Sequence, residues 1–242
     1  MIFIRSTLFN IWFYGLTAIC TLLAIAAYAV SPVWLKQVER GWARVNLVAL
    51  QLICGIKVEM TGQENLPSGA VIIASQHQSA FDTFVWMAYT PHAAYVVKQE
   101  LTHIPLFGWL LTRLGHIPVD RKAGASALRG LLHHGAAALA KNWQLVIFPE
   151  GTRVAAGERG VLQPGVAALA SHTGGIVVPV ATDSGYCWGR KAFVKRSGTI
   201  HVVIRPALPP GLRRPALLAA LQQSWDEGQE IIRESVDKSV GD

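Results

Sequence analysis

The chain has 242 residues, 51% of them hydrophobic, and its 22 Lys and Arg against 15 Asp and Glu give a formal net charge of +7 and a pI near 9.6. A basic balance suits a nucleic-acid or an anionic lipid partner, but the sequence has no nucleic-acid recognition motif and no continuous basic stripe, so lipid fits better. Three widely spaced cysteines, Cys20, Cys54 and Cys187, indicate neither a disulfide framework nor a zinc site.

A long apolar segment lies near the N-terminus. No charged residue stands between Arg5 and Lys36, and residues 8–30 are almost entirely apolar. As a helix this segment would be about 34 Å long at about 1.5 Å per residue, enough to cross a hydrocarbon core of roughly 30 Å. The sequence therefore predicts a membrane-anchoring helix.

The flanking charges predict how this helix is oriented. Lys36, Arg40 and Arg44 follow it and only Arg5 precedes it, so the positive-inside rule places the rest of the chain on the cytoplasmic side of the inner membrane. Ala27-Tyr-Ala29 resembles the cleavage site of a secretory signal peptide, but the apolar region is too long and the N-terminal charge too small for that class. We expect an anchor that is retained.

A second apolar segment, residues 45–56, would be about 18 Å long as a helix, too short to cross a bilayer. It can be an interfacial helix, the returning arm of a hairpin buried in one leaflet, or a core helix of a soluble domain. The sequence also leaves open whether the first segment crosses fully. We predict a membrane-anchoring segment over residues 1–56 and a second domain over residues 57–242.

Beyond residue 56, short β-branched runs alternate with helical patterns. The predicted strands cover residues 57–61, 70–75, 94–98, 116–119, 145–148, 177–181 and 199–204. The predicted helices cover residues 81–89, 104–114, 123–141, 165–173 and 215–239. This alternation predicts an α/β fold with a mixed, largely parallel sheet flanked by helices.

A histidine and an aspartate follow the second predicted strand. His77 emerges at the strand end, and Asp82 lies five positions later. A neutral imidazole can accept a proton near pH 7, and a carboxylate on its other nitrogen fixes the tautomer and stabilises the imidazolium. Positions five apart are not neighbours on a regular helix, so a contact requires a turn or helix start between them. We predict that His77 is a general base oriented by Asp82; the alternative is a surface histidine near a helix N-terminal aspartate.

Three further blocks follow in order: Gly115-His-Ile-Pro-Val-Asp-Arg121, Phe148-Pro-Glu-Gly-Thr-Arg153 and Ile176-Val-Val-Pro-Val-Ala181. With the His-x₄-Asp block before them, they resemble the ordered motifs of the glycerolipid acyltransferase family, most closely its 1-acylglycerol-3-phosphate acyltransferases. The resemblance covers about residues 57–210.

The resemblance implies a two-helix membrane anchor followed by a catalytic domain. The implied reaction transfers an acyl chain from acyl-CoA or acyl carrier protein to the free hydroxyl of 1-acylglycerol-3-phosphate, giving phosphatidate. His77 would be the base, and the substrate hydroxyl would attack the thioester directly. No Gly-x-Ser-x-Gly elbow is present to carry a serine nucleophile.

The phosphate of such a substrate requires cations. Guanidinium groups bind phosphate oxygens in a bidentate manner, so Arg121 and Arg153 are the first candidates and Lys98 is a third. Gly151 lets the backbone approach a ligand closely, and the hydroxyl of Thr152 can donate a hydrogen bond. We predict that these residues bind substrate.

The resemblance also assigns Glu150 to the glycerophosphate site, where it would contact Arg153 or a substrate hydroxyl. The chain departs from the family pattern at Gln163, where many relatives have a lysine, and Arg159 is a candidate substitute.

We expect no metal and no cofactor, because the histidines lack the spacing of metal ligands, and the acyl donor is a co-substrate. The expected partners are lysophosphatidate, the acyl donor (acyl-CoA or acyl carrier protein) and membrane lipid, but not nucleic acid. Two alternatives remain: an acyltransferase for another lysolipid or an amino-acid lipid, and a non-catalytic lipid-binding protein with the same fold.

Overall fold

The structure, a computed structural model, describes residues 1–31 and 33–241. Pro32 and Asp242, which belong to the predicted segments 1–56 and 57–242, lie outside the described residues.

One seven-stranded sheet organises the chain, in the order β1-β7-β6-β2-β5-β3-β4. Its strands are β1 (Ile56–Thr61), β2 (Val71–Ser75), β3 (Ala93–Lys98), β4 (Ile117–Val119), β5 (Gln144–Ile147), β6 (Val177–Thr182) and β7 (Gly198–Ile204). The five strands from β6 to β4 are parallel, whereas β7 is antiparallel to β6 and β1 is parallel to β7. The predicted fold class is confirmed, and each predicted strand ends within one residue of the observed one.

Helices cover both faces of the sheet. They are α1 (Ile2–Val30), α2 (Val33–Ala49), α3 (Val85–Tyr89), α4 (Phe107–Arg113), α5 (Ala125–Ala140), α6 (Gly165–Thr173), α7 (Ser184–Cys187) and α8 (Arg214–Gly241). Residues of α1, α2 and α3 share one core cluster with the sheet, and residues of α5, α6 and α8 share another. Every residue of β2, β5 and β6 is buried, as expected for central parallel strands covered on both faces.

Three predicted helices are shorter in the structure, and the segment 123–141 contains α5, which loses three residues at its ends. The segment 81–89 divides into a 3₁₀ turn, Phe81–Thr83, and α3, because Phe84 between them leaves the helical conformation with φ −131°. The segment 104–114 contains α4 only from Phe107 onward, because Leu106 adopts φ +64°.

The second apolar segment proves to be the end of a longer helix. Helix α2 begins at Val33 and continues into a π-helical turn, Leu50–Cys54, so the helix that contains this segment starts 12 residues before the apolar run that was considered in the sequence. The charged residues between the two apolar segments lie on this amphipathic helix, and one of them, Glu39, is buried against His116 with Nε2 to Oε1 at 2.7 Å.

Helix α1 is, within the described part of the chain, the one helix long and apolar enough to cross a membrane. It packs against α2 and lies along the α/β domain. Near its start, the Ser6 hydroxyl accepts a hydrogen bond from the Lys195 backbone N–H at 2.9 Å. Near its end, the Tyr28 ring meets Trp109 edge to face with centroids 5.0 Å apart. The proposed division of the chain near residue 56 remains a prediction, since the helical pair and the sheet share a core.

Candidate active site

Three loops meet at one edge of the sheet because of the strand order. Strand β2 lies between β5 and β6, and the three are parallel. The segments that leave their carboxyl ends, beginning at Gln76, Phe148 and Asp183, are therefore neighbours in space although they are far apart in sequence. Ligands of open α/β sheets bind outside the carboxyl ends of the strands.

The predicted dyad is formed in this loop cluster. His77 Nδ1 lies 3.1 Å from Asp82 Oδ2, and both residues are buried. The chain bends at Ser79 and Ala80 and then enters the 3₁₀ turn that contains Asp82, so that residues five apart can touch. An ionised carboxylate can only accept hydrogen bonds, so Nδ1 carries the proton and Nε2 keeps the lone pair that a base requires.

The Asp82 carboxylate accepts three more hydrogen bonds. The backbone N–H groups of Gln78 and Ser79 donate to Oδ2 at 2.7 and 2.8 Å. The Ser184 hydroxyl donates to Oδ1 at 2.7 Å. Both carboxylate oxygens are thus satisfied, and the side chain is fixed on both sides.

The imidazole is held on its face by an aromatic ring. Phe148, which directly follows β5 and precedes the Pro-Glu-Gly-Thr-Arg sequence, stacks on His77 with centroids 4.0 Å apart and planes 16° apart. The next two residues of the motif, Pro149 and Glu150, are buried. The Phe148 ring therefore restricts the ring rotation that would turn Nδ1 away from Asp82.

Glu150 fixes the backbone of the dyad. Its Oε2 accepts a hydrogen bond from the His77 backbone N–H at 2.7 Å, and the Val154 N–H donates to the His77 carbonyl at 2.8 Å. Burial raises the pKa of Glu150, the hydrogen bond from the His77 backbone N–H lowers it, and the negative charge of Asp82 raises it; together they bring the pKa to about 8. The assignment of Glu150 to substrate binding remains a prediction beside this positioning contact.

Arg153 brings a positive charge close to the dyad. Burial lowers the pKa of its guanidinium, the Asp82 carboxylate raises it, and the like charge of Arg190 lowers it. Within residues 1–31 and 33–241, Arg153 forms no salt bridge. A half-buried guanidinium without a paired carboxylate is suited to an anionic ligand.

The two residues before Arg153 shape the turn. Gly151 has φ +69° and donates its N–H to the Phe148 carbonyl at 2.9 Å. A Cβ at this position would lie 3.2 Å from Cγ of Gln163, so both conformation and space favour glycine. Thr152 is exposed, with its hydroxyl available to solvent or ligand.

The other two predicted cations lie further along the same edge. Lys98 ends β3 and Arg121 follows β4, which are two and three strands from β2, or about 10 and 14 Å at roughly 4.8 Å per strand. Both are exposed, and Lys98 forms a salt bridge with Glu100 at 2.8 Å. The dyad and Arg153 are thus brought together, and these two cations lie apart from them.

Arg159, the candidate substitute for the lysine that many relatives have at the position of Gln163, contacts α8. Arg159 forms an exposed salt bridge with Asp226 of α8 at 3.0 Å. A cavity of about 900 Å³ beside the loop cluster is lined by Gln76, Gln78 and Arg159, but His77 does not line it. Since this cavity has acidic as well as basic walls, we assign it no phosphate.

Three side chains of the site were not predicted from the sequence: Gln78, Phe148 and Ser184. Phe148 is the first residue of the Phe-Pro-Glu-Gly-Thr-Arg block, and its aromatic character was the only sign in the sequence that it could stack on His77. Gln78 and Ser184 act across the β2–β6 pair, as Gln78 Nε2 donates to the Thr182 carbonyl at 2.8 Å. No local sequence pattern predicts a contact between segments more than 100 residues apart.

The described residues contain no group of three or more His, Cys, Asp and Glu arranged to hold a metal ion. The expectation that the protein needs no metal or cofactor remains a prediction.

Fold and site together describe an α/β protein with a His–Asp dyad at the carboxyl edge of its sheet. The family model called Acyltransferase matches residues 57–183, which include the dyad and the block ending at Arg153. The chain therefore belongs to the acyltransferase family.

Individual relatives agree with this membership. The 1-acyl-sn-glycerol-3-phosphate acyltransferase of Pseudomonas aeruginosa is 34% identical over 77% of this chain and 72% of its own length. The yeast protein of the same name is 31% identical over 60% of this chain, which matches 46% of the yeast protein. The crystal structure of the 1-acyl-sn-glycerophosphate acyltransferase of Thermotoga maritima superimposes with a TM-score of 0.79 at 20% identity, covering 96% of this chain and 98% of that one. The last comparison establishes the fold.

A pH-dependent stability follows from the buried Glu150 carboxyl. Its pKa is 4.5 ordinarily and about 8 in the folded protein, so the folded state binds the proton more tightly. Stability is therefore highest below about pH 4.5 with respect to this group and falls as the pH rises towards 8, at about 1.4 kcal/mol per pKa unit. Glu150→Gln cannot ionise, yet its amide oxygen can still accept from His77. We expect wild type to lose up to a few kcal/mol of unfolding free energy relative to this variant between pH 5 and 8, measured by urea unfolding.

The matched control is Glu158→Gln, which changes an exposed glutamate in the following loop. Its stability should follow that of the wild type at every pH. Parallel pH profiles for wild type and Glu150→Gln would show that Glu150 titrates normally in the folded protein.

Proposed function

We propose that this protein transfers an acyl chain from an acyl-CoA or acyl carrier protein thioester to the free hydroxyl of 1-acylglycerol-3-phosphate, giving phosphatidate. The observation that carries the proposal is the buried His77–Asp82 pair, whose Nδ1 is committed to the carboxylate, with the half-buried Arg153 beside it. The names of the relatives support the same substrate. No further cofactor is required.

The reaction needs one base and no covalent enzyme intermediate. His77 Nε2 takes the proton of the substrate hydroxyl while the hydroxyl oxygen attacks the thioester carbonyl carbon. The new C–O bond forms, the C–S bond breaks, and the thiolate leaves with the proton from the imidazolium as a free thiol. Asp82 keeps the tautomer correct and stabilises the positive charge that develops on His77.

Arg153 is the proposed principal phosphate ligand. It lies near the dyad, and partial burial strengthens an ionic hydrogen bond by reducing the competition from water. Arg190 is close enough to lower its pKa, so a phosphate between them would relieve this repulsion. Lys98, Arg121 and Thr152 are proposed to contact substrate more weakly, because they are exposed.

The apolar helices are proposed to lie in the cytoplasmic leaflet of the inner membrane, with the catalytic domain in the cytoplasm. Both ends of α1 contact the α/β domain, so α1 would have to leave these contacts to project across a bilayer. Large apolar side chains are exposed on α1 and near α4: Ile4, Leu8, Ile11, Leu22, Leu23, Leu101, Ile104, Leu106 and Trp109. Their burial in lipid would contribute to attachment, and the net charge of +7 would favour anionic headgroups.

The first test removes the base. Since the mechanism requires an imidazole, His77→Ala should lower kcat by about 10²–10⁴-fold, measured with acyl-CoA and lysophosphatidate and with products identified by mass spectrometry. Asp82→Asn should also be strongly impaired, because an amide cannot stabilise the imidazolium as a carboxylate does. His172→Ala changes an exposed histidine of α6 and should behave like wild type. Near wild-type turnover by His77→Ala would refute the mechanism.

The second test concerns the acceptor. Arg153→Ala should raise KM for lysophosphatidate about ten- to a hundredfold, as expected for the loss of a charged hydrogen bond. Arg153→Lys should recover only part of this, because an ammonium cannot form the bidentate contact. A monoacylglycerol should be a poor acceptor that responds little to either change, and Arg129→Ala, an exposed substitution on α5, should affect neither acceptor. Equal impairment with both acceptors would make Arg153 structural and reopen the choice among acyl acceptors.

The third test concerns membrane attachment. Leu8 and Ile11 are 54% and 68% exposed on α1, so the double variant Leu8→Glu, Ile11→Glu should bind phosphatidylglycerol-containing vesicles at least about tenfold more weakly, from the apolar burial that it loses. Ile176→Glu is the control, because Ile176 is an exposed apolar residue at the amino end of β6, on the edge of the sheet opposite to the loop cluster. Sedimentation with vesicles measures binding. If both variants bind equally well, α1 does not face the lipid.

A further inference from the structure

Ser184 contacts the dyad from a different strand. It is the first residue of α7, two positions after the end of β6, and it is fully buried. Its hydroxyl donates to Asp82 Oδ1 at 2.7 Å, across 102 positions of sequence. This is the one side-chain contact to Oδ1 within the described residues, whereas Oδ2 accepts from His77 and two backbone N–H groups.

A contact to Oδ1 restricts a motion that the contacts to Oδ2 leave open. The terminal torsion of an aspartate side chain is soft and roughly two-fold, so a carboxylate held at one oxygen can still rotate about Cβ–Cγ. The Ser184 bond fixes the second oxygen and hence the plane of the carboxylate. In that plane Oδ2 faces His77 Nδ1.

The position of Ser184 is itself fixed by Gln78. The Gln78 amide donates to the Thr182 carbonyl at 2.8 Å and accepts from the Gly185 N–H at 3.0 Å, on either side of Ser184. The Ser184 N–H donates to Thr182 Oγ1 at 3.2 Å. The loop that contains the dyad therefore determines where the Ser184 hydroxyl lies.

From this geometry we infer that Ser184 is a positioning residue of the dyad, whose hydroxyl orients the Asp82 carboxylate towards His77. The inference rests on the proposed catalytic role of that pair. Ser184 is no nucleophile here, because its proton is donated to Asp82 and its side chain is buried. It acts on turnover through Asp82 and makes no contact with the acyl acceptor.

The test compares two buried serines. Ser184→Ala should lower kcat about tenfold, the lower end of the loss expected for a hydrogen bond to a charged group, because three donors to Oδ2 remain. KM for lysophosphatidate should stay within about twofold. Ser75→Ala removes a buried hydroxyl that donates to the Gln76 carbonyl at 3.1 Å, and it should keep wild-type kcat. Unchanged kcat in Ser184→Ala would overturn the inference.

A double-mutant cycle separates positioning from general structural support. In the Asp82→Ala background Ser184 has no carboxylate to orient, so adding Ser184→Ala should change the remaining kcat by less than about twofold. A further tenfold loss in that background would show that Ser184 acts independently of Asp82 and would overturn the inference.

Ser184→Cys, a weaker donor of similar size, should have an intermediate kcat. This variant provides the measurement if the alanine variant does not fold, and wild-type kcat in the cysteine variant would then count against the inference.

His77→Ala, measured in parallel, distinguishes this inference from the proposed function. If His77→Ala retains turnover, the proposed mechanism fails. If His77→Ala is inactive but Ser184→Ala turns over like wild type, the mechanism stands and only the role of Ser184 is refuted.

Discussion

The buried carboxylate of Asp82 is the group on which the site depends. It is 1% exposed, and an ionised group removed from water is tolerated only when hydrogen bonds replace its hydration. Its four donors come from two separate parts of the chain: three from the loop after β2 and one from Ser184 after β6. The requirement to satisfy this charge therefore joins the two loops and orients His77 at the same time.

The strand order decides which functional groups can cooperate. With β5 and β6 on either side of β2, the loops that carry Glu150 and Ser184 reach the dyad from opposite sides. Glu150 then holds the His77 backbone, and Arg153 follows in the same turn. Cations at the ends of β3 and β4 lie too far along the edge to share one phosphate oxygen with this group, so a ligand contacting all of them would have to extend along the sheet edge.

Much of the fold was predictable because strands and helices leave local patterns. The buried runs of β2, β5 and β6 are continuous and apolar, and the dyad lies within six consecutive residues. Two of the features that were not predicted have clear physical reasons. The start of α2 was not predicted because the helix buries the charged Glu39, whose carboxylate pairs with Lys36 and with His116 of a distant segment. The Ser184 contact depends on strand order, which no local pattern encodes.

The contact between Glu39 and His116 joins α2 to the domain that contains the sheet. The Tyr95 N–H donates to His116 Nδ1 at 3.1 Å, so Nε2 carries the proton that His116 donates to Glu39 of α2. Replacing His116 by a residue without a donor would leave Oε1 of the buried Glu39 carboxylate unsatisfied, at a cost of about 1–3 kcal/mol, while Lys36 still pairs with Oε2 at 2.9 Å. The Tyr95 ring also lies 6.2 Å from Phe148, which stacks on His77. Packed contacts thus extend from the amphipathic helix to the imidazole, and a displacement of α2 relative to the sheet would disturb the residues that orient His77.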